Sequence, residues 1–241
     1  GVFTVFRREL KAIFDSSIAY IYFIAFSVLT AAIFMNEFFL KSVIDMKPYF
    51  DILPMISIVF IPALTMRVWA EEKKTFTFEL LMTLPLNTFQ LVVGKYAAVL
   101  VFYLITLLGS VPIVVMLEAL GEPDMGLILS GYIGAAFLGA LFIAFGLFTS
   151  GLTDNQIVAF VLAAFTGFIF VFSGHEMVVA VLDGLSEKLQ AGTFLYESIS
   201  VAPHFDAMVR GVLTGPAVFY FTAMSAAFLW MNGVTVSRSR I

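Results

Sequence analysis

The run 125-MGLILSGYIGAAFLGALFIAFGLFTSGLT-153 carries 29 residues without a single charged side chain. About 20 apolar residues in helical rise are enough to cross a hydrocarbon core of about 30 Å, so this run reads as a membrane-spanning helix with length to spare. Within it Gly131, Ala135 and Gly139 recur every fourth residue, with Gly134 and Gly146 nearby. Small residues at that spacing let helix backbones approach closely, so the face is read as a packing surface and not as a site of chemistry.

Working outward, the same absence of charge recurs over 18–35, 52–66, 96–117, 155–174 and 211–237. With flanking residues these predict six transmembrane helices over 18–36, 52–70, 91–117, 125–151, 155–174 and 211–236, which fill nearly all of a single domain spanning 1–241. The second is the shortest, and it gains length if Arg67 snorkels toward the interface and Trp69 sits in the aromatic belt. Hydrophobic residues make up 61% of the chain and charged residues 12%, against about 25% charged in a soluble domain, which excludes a water-soluble fold. There is no cysteine, hence no disulfide framework and no thiolate metal site.

Orientation follows from the basic residues. With the amino terminus cytoplasmic, inner segments hold Arg7, Arg8, Lys11, Arg67, Lys73, Lys74, Lys95, Arg238 and Arg240, nine of the 13 Lys and Arg residues. Outer segments hold Lys41, Lys47, Lys188 and Arg210, so the positive-inside rule places both ends in the cytoplasm. The apolar run after Lys11 exceeds the roughly 7–15 residues of a signal-peptide core, and it is expected to remain as the first span.

Three amphipathic segments connect or precede the spans. Over 1–17, Phe3, Phe6, Leu10, Ile13 and Phe14 share one helical face opposite Arg7, Arg8 and Lys11, the pattern of an interfacial helix; a cytoplasmic extension of the first span is the alternative, and it would leave the aromatic face in water. Over 71–86, Phe76, Leu80, Leu81 and Leu84 form an apolar stripe that Pro85 ends, after which Asn87 and Gln90 have the spacing of a capping box. Over 175–210, Val178, Val181, Leu182, Leu185 and Leu189 repeat helically before Pro203, and Phe205, Met208, Val209 and Val212 follow, with Asp206 four residues from Arg210. Short outer helices are expected there. Pro62 and Pro112 are expected to kink their spans.

Catalytic chemistry is missing from the pattern. No nucleophile with a paired base, H-E-x-x-H or phosphate-binding loop occurs. His175 and His204 could meet Glu176 or Asp206 at a metal, but their wide separation favours interfacial polar roles. No charge falls well inside the spans as drawn, which argues against an ion-driven carrier. The acidic outer residues read as a solvated loop face, and no basic, aromatic surface suited to nucleic acid is present.

Phe6-Arg7-Arg8-Glu9-Leu10-Lys11, with Phe14, Ser16, Ser17 and Tyr20, resembles the opening of type-2 ATP-binding cassette (ABC) exporter permeases, especially their gliding-motility (Gld-type) branch. The run from Glu71 through Lys73, Thr77, Glu79, Leu80 and Leu81 to Pro85, followed by Gly94-Lys95, is similar to the family's most recognisable segment. Near the end, Ser200, Pro203-His204-Phe205, Arg210-Gly211-Val212 and Tyr220-Phe221 resemble the outer segment entering the last span. One departure is Phe76, where the family usually has glycine.

The resemblance covers essentially the whole chain and implies an all-α, type V ABC exporter-like permease. Arg7, Arg8, Glu9 and Lys11 would lie on a connecting helix. Glu71, Glu72, Lys73, Thr77, Glu79, Leu80, Leu81 and Pro85 would form a coupling helix that receives an ABC ATPase pair, and His204, Phe205 and Arg210 would belong to the outer segment. It further implies a second permease half, a membrane-anchored extracytoplasmic auxiliary protein, and a bacterial or archaeal plasma membrane. ATP and Mg would be bound by the ATPase partner and no cofactor by this chain.

Overall fold

The computed structural model describes residues 1–78, 87–185 and 190–238. Among these the ordered backbone is helical throughout, with no strand. The first helix, α1 (Val2–Asp15), ends where Ser16 turns extended, and the Ser16 hydroxyl accepts from the Ile18 N–H at 3.3 Å to open α2 (Ser17–Lys41). That break makes α1 a separate helix instead of an extension of the first span. Ser42, in the left-handed region at φ 50°, stops α2.

The next pair is α3 (Lys47–Thr65), which starts on Pro48 in its first turn and tolerates Pro54 and Pro62, and α4 (Arg67–Lys74), separated from it at Met66. The capping box of Asn87 and Gln90 is present and opens α5 (Thr88–Leu108). A break at Gly109 and Ser110 leads into α6 (Val111–Leu120), so Pro112 occupies a first helical turn, where its missing N–H costs nothing, instead of kinking a continuous helix.

Asp124 caps α7 (Met125–Leu152), accepting from the Gly126 and Leu127 amides at 2.9 and 3.2 Å, and Asn155 caps α8 (Gln156–Phe172) at 2.9 Å. Three short helices follow, α9 (Glu176–Leu185), α10 (Ala191–Ser198) and α11 (Ala202–Val209), and then α12 (Gly215–Arg238).

Among the described residues, five helices or helix pairs are long and apolar enough to cross a membrane: α2, α3 with α4 (28 residues), α5 with α6 (33 residues), α7 and α12. A sixth arises if α8 and the following helix to Gly184, bent by 81°, count together. The protein is therefore an all-helical, multi-pass membrane protein, with five or six candidate spans among the described residues. The second span is not the short one. Its helix starts at Lys47, whose ammonium pairs with Asp51 one turn on at 2.6 Å, and the uncharged-run criterion discarded that whole turn. The shortest is α8, with 17 residues.

At the centre lies α7, against which α3, α5, α8, α11 and α12 all pack. Its small residues explain that position. A Cβ on Gly131 would overlap the Phe50 ring of α3, one on Gly139 the Tyr103 ring of α5, and one on Gly146 the side chain of Thr65. Tyr103, fully buried, also donates its hydroxyl to the Ala135 carbonyl at 3.2 Å. At one end Ser130 donates to the Met208 carbonyl of α11 at 2.7 Å. On another side, Phe145 meets Phe170 of α8 and Phe228 of α12 at ring separations of 5.7 and 5.9 Å.

Candidate functional site

The end of the bundle where α1, α4 and the start of α5 meet concentrates the buried charge. Gly94 permits the approach of α1 to α5, because a Cβ there would come within 2.8 Å of Val5 and 3.1 Å of the Val2 carbonyl oxygen. Val5 is buried in that contact, while Phe3, Arg7, Arg8 and Lys11 remain exposed. An amphipathic helix lying along the bundle is the result.

Two turns beyond the start of α5, Lys95 has only 1% of its surface exposed. Its Nζ donates to Glu72 Oε1 at 2.7 Å and to the Val68 carbonyl at 3.3 Å, stands 3.2 Å from Glu9 Oε1, and lies 4.9 Å from the centre of the Trp69 ring. Arg8 joins through Glu72 at 3.5 Å and through its neighbour Glu9. Two cations and two carboxylates thus tie three helices in one charge-balanced cluster. Burial alone would raise the Glu9 carboxyl, but Lys95 and Arg8 outweigh it and hold Glu9 below its ordinary value. Removing Lys95, the one fully buried member, costs about 3 kcal/mol, because two part-buried carboxylates lose their closest cation, whereas the half-exposed Arg8 contributes much less.

From the other side α7 holds α4. The Ser150 hydroxyl accepts from the Trp69 and Ala70 amides at 3.1 and 3.2 Å and donates to the Met66 carbonyl at 2.9 Å, satisfying backbone groups freed at the α3–α4 break. Lys73 donates to the Gly151 carbonyl at the end of α7. Of the residues expected on one helix over 71–86, Glu71, Glu72 and Lys73 belong to α4, the tail of the second span. Thr75 and Phe76 form a turn, and Thr77 donates to the Glu72 carbonyl at 3.3 Å. Glu79, Leu80, Leu81 and Pro85 lie outside the described residues.

Phe76 has φ +57°, the left-handed region that glycine adopts without strain, so the backbone bends there despite the phenylalanine. The expected site residues Glu9 and Glu72 are brought together, and Arg8 with them. Lys95 and Ser150, which join them, were missed. Lys95 had a legible signal, a lone cation two turns inside an apolar helix; Ser150 had none.

Beside the cluster a cleft of about 390 Å³ opens between α1, α2, α3 and α4, with Arg67, Glu71, Glu72, Thr75, Tyr22 and Val99 in its lining. At the opposite end of the bundle, the ring of His204 stacks on Tyr220 at 4.2 Å, and Tyr220 donates to the Ile199 carbonyl. Burial lowers the His204 pKa, opposed in part by a hydrogen bond with the Glu197 backbone. Phe205 is buried beside Gly134 and docks α11 on α7, whereas Arg210 pairs at the surface with Asp206, one turn earlier in its own segment, at 2.7 Å. Among the described residues no group of three acidic or histidine side chains stands close enough to hold a metal.

Fold and site together define a multi-pass helical membrane protein whose internal charge is gathered at one end. No family model matches the chain, and no curated protein matches it either.

Proposed function

We propose that the chain is the transmembrane permease subunit of an ABC exporter, working with a second permease half and a separate pair of ATPase subunits on the cytoplasmic side. The observation that carries the reading is the cluster of Lys95, Glu72, Glu9 and Arg8, which fastens α4 to α1 and α5. Any segment continuing from α4 on the cytoplasmic face is thereby linked to two helices of the bundle by charge and hydrogen bonds. A force applied there by ATPase closure would reach the spans as a rigid movement instead of being lost in a loop.

In this reading α1 is the connecting helix, the segment beyond Phe76 meets the ATPase, and both termini are cytoplasmic in a bacterial or archaeal plasma membrane. ATP and Mg are bound by the partner. The resemblance to the Gld-type branch adds a membrane-anchored extracytoplasmic protein over α9 to α11.

A second reading, an ATP-independent carrier, gains support from the same buried charge, since intramembrane ionisable groups often mark ion pathways. Lys95 lies seven residues into α5, about 10 Å from its start, so the cluster sits near one end of the span and suits anchoring better than an ion site at the membrane's middle. Co-purification of the native complex followed by transport assays in vesicles decides between them. The exporter reading expects an ATPase subunit in the complex and transport only with nucleotide; flux from this chain alone would overturn it.

A further inference from the structure

The fold uses only part of the apolar face of α1. Val5 docks against Gly94, Leu10 and Ile13 pack on the core, and the Phe14 ring meets that of Phe102 edge-on at 5.7 Å. Phe3 is left 71% exposed, with the ring of Phe6 6.1 Å from its own. At about 100° per residue, Phe6, Phe3, Arg7 and Lys11 follow in that order round the helix from the docked side, and the exposed Asp15 comes after them. Two aromatic rings are thus edged by two cations.

Those cations are uncommitted. Arg8, the third cation of α1, is spent on Glu9 and Glu72. Arg7 and Lys11 are exposed and have no ion-pair partner among the described residues, and Asp15, one turn beyond Lys11, does not reach it.

Chain connection fixes the depth of this helix. α2 opens at Ser17, two residues after α1 ends, and the first turns of that span already expose Ile18 and Ile21 by 46% and 65%. The unpartnered side of α1 is therefore continuous with the lipid-facing surface of the first span, at the boundary where that span enters the bilayer. Aromatic rings there reach the acyl boundary, and long cationic side chains extend to the phosphates. Charge selects the lipid: two cations without counter-ions favour an anionic head over a zwitterionic one, whose own ammonium competes for the phosphate.

We propose that α1 binds anionic glycerophospholipid, of the phosphatidylglycerol class, in the leaflet at its end of the bundle. Phe3 and Phe6 enter the acyl boundary, and Arg7 and Lys11 engage phosphates. Because Glu9 and Arg8 of the same helix belong to the charge cluster, lipid held there also braces α1 against α4 and α5. Binding is a property of this chain alone and does not depend on an ATPase partner.

The test places a reporter at the anchor. Phe3→Trp keeps an aromatic ring, and Trp230→Phe removes the exposed native tryptophan, leaving the fully buried Trp69 as a constant background. The full chain is placed in phosphatidylcholine nanodiscs containing the same minority fraction of either brominated phosphatidylglycerol or brominated phosphatidylcholine, and the quenching at position 3 is read against the parent that retains Phe3. Quenching by the anionic lipid should exceed that by the zwitterionic lipid at least about twofold, each cation near an anionic surface favouring it up to about fivefold, and the excess should shrink as salt is raised. Arg7→Gln with Lys11→Gln should abolish the excess while leaving quenching by both lipids, and should melt with the parent in detergent, since both side chains are exposed and unpaired. Equal quenching by the two lipids, or an excess untouched by the double variant, overturns the proposal. Quenching by neither lipid overturns it as well, and shows that water or another protein covers this face of α1.

Discussion

Three residues carry consequences well beyond their size. Lys95→Met should lower the stability of the purified protein by about 3 kcal/mol, since the part-buried Glu9 and Glu72 would keep only the half-exposed Arg8 as a partner, whereas Lys95→Met combined with Glu72→Gln should recover a large part of that loss. A thermal-unfolding cycle over the four proteins reads both effects. Glu9 adds a pH dependence of defined sign. Its folded pKa lies below the ordinary 4.5, so its contribution is fully present above that value and is lost as pH falls through the lower folded value. Glu9→Gln should therefore flatten the acid limb of the stability profile without altering its shape near neutrality. Phe76 holds φ +57° with its side chain 76% exposed, so little packing opposes the strain, and Phe76→Gly should stabilise the turn by about 1 kcal/mol. The sequence alone showed that Glu9, Glu72 and Lys95 were charged and near the same side of the membrane. It could not pair them, because their partnership depends on how α1 crosses α5, and that is set by Gly94 and Val5 over a separation of about ninety residues.

At the scale of elements, helices were legible and their joints were not. Capping chemistry is local, so Asn87 with Gln90 announced the start of α5 correctly. The breaks at Met66 and Gly109 are met by tertiary partners: Ser150 receives the amides freed after Met66, and Gly109 has Ser27 of α2 beside it. A criterion based on uncharged runs also misplaced length. It trimmed α3 at Lys47 and Asp51, which pair with each other, and credited α8 with residues beyond Phe172 that form a turn. Along the small-residue face of α7, Phe50, Tyr103 and Thr65 lie against Gly131, Gly139 and Gly146. Gly139→Ala should destabilise by about 1–3 kcal/mol, because the buried Tyr103 ring must move and its bond to the Ala135 carbonyl is strained with it. Gly184→Ala in the exposed part of α9 meets no atom within 4 Å and should instead be neutral or mildly stabilising. Chemical or thermal unfolding of the two variants in the same detergent makes the comparison.

For the whole molecule the decisive question is whether α8 crosses. Its 17 residues rise about 26 Å, slightly short of a hydrocarbon core of about 30 Å, and the next helix turns away by 81°. The contacts at its two ends nevertheless lie on opposite ends of the bundle. Its start follows α7, whose last turn touches α4 near the charge cluster. Its far end, at Phe170, accepts a backbone hydrogen bond from Val201 at 3.0 Å, beside α11, and α11 is held by Ser130 in the first turns of α7. The chain must therefore travel the length of α7 between Asn155 and Phe170, and α8 is the segment that does so. Since the chain has no native cysteine, single cysteines give an unambiguous readout. Exposed positions Asp154 and Glu176 should label from opposite sides of the membrane with an impermeant maleimide, and Lys47 and Lys74 should do the same across the second span. Labelling of Asp154 and Glu176 from one side would make α8 re-entrant and leave five crossings. An odd number would put α1 and the end of α12 on opposite faces, in conflict with Phe89 of α5 lying against Gly233 and with α1 lying along that same end of α5.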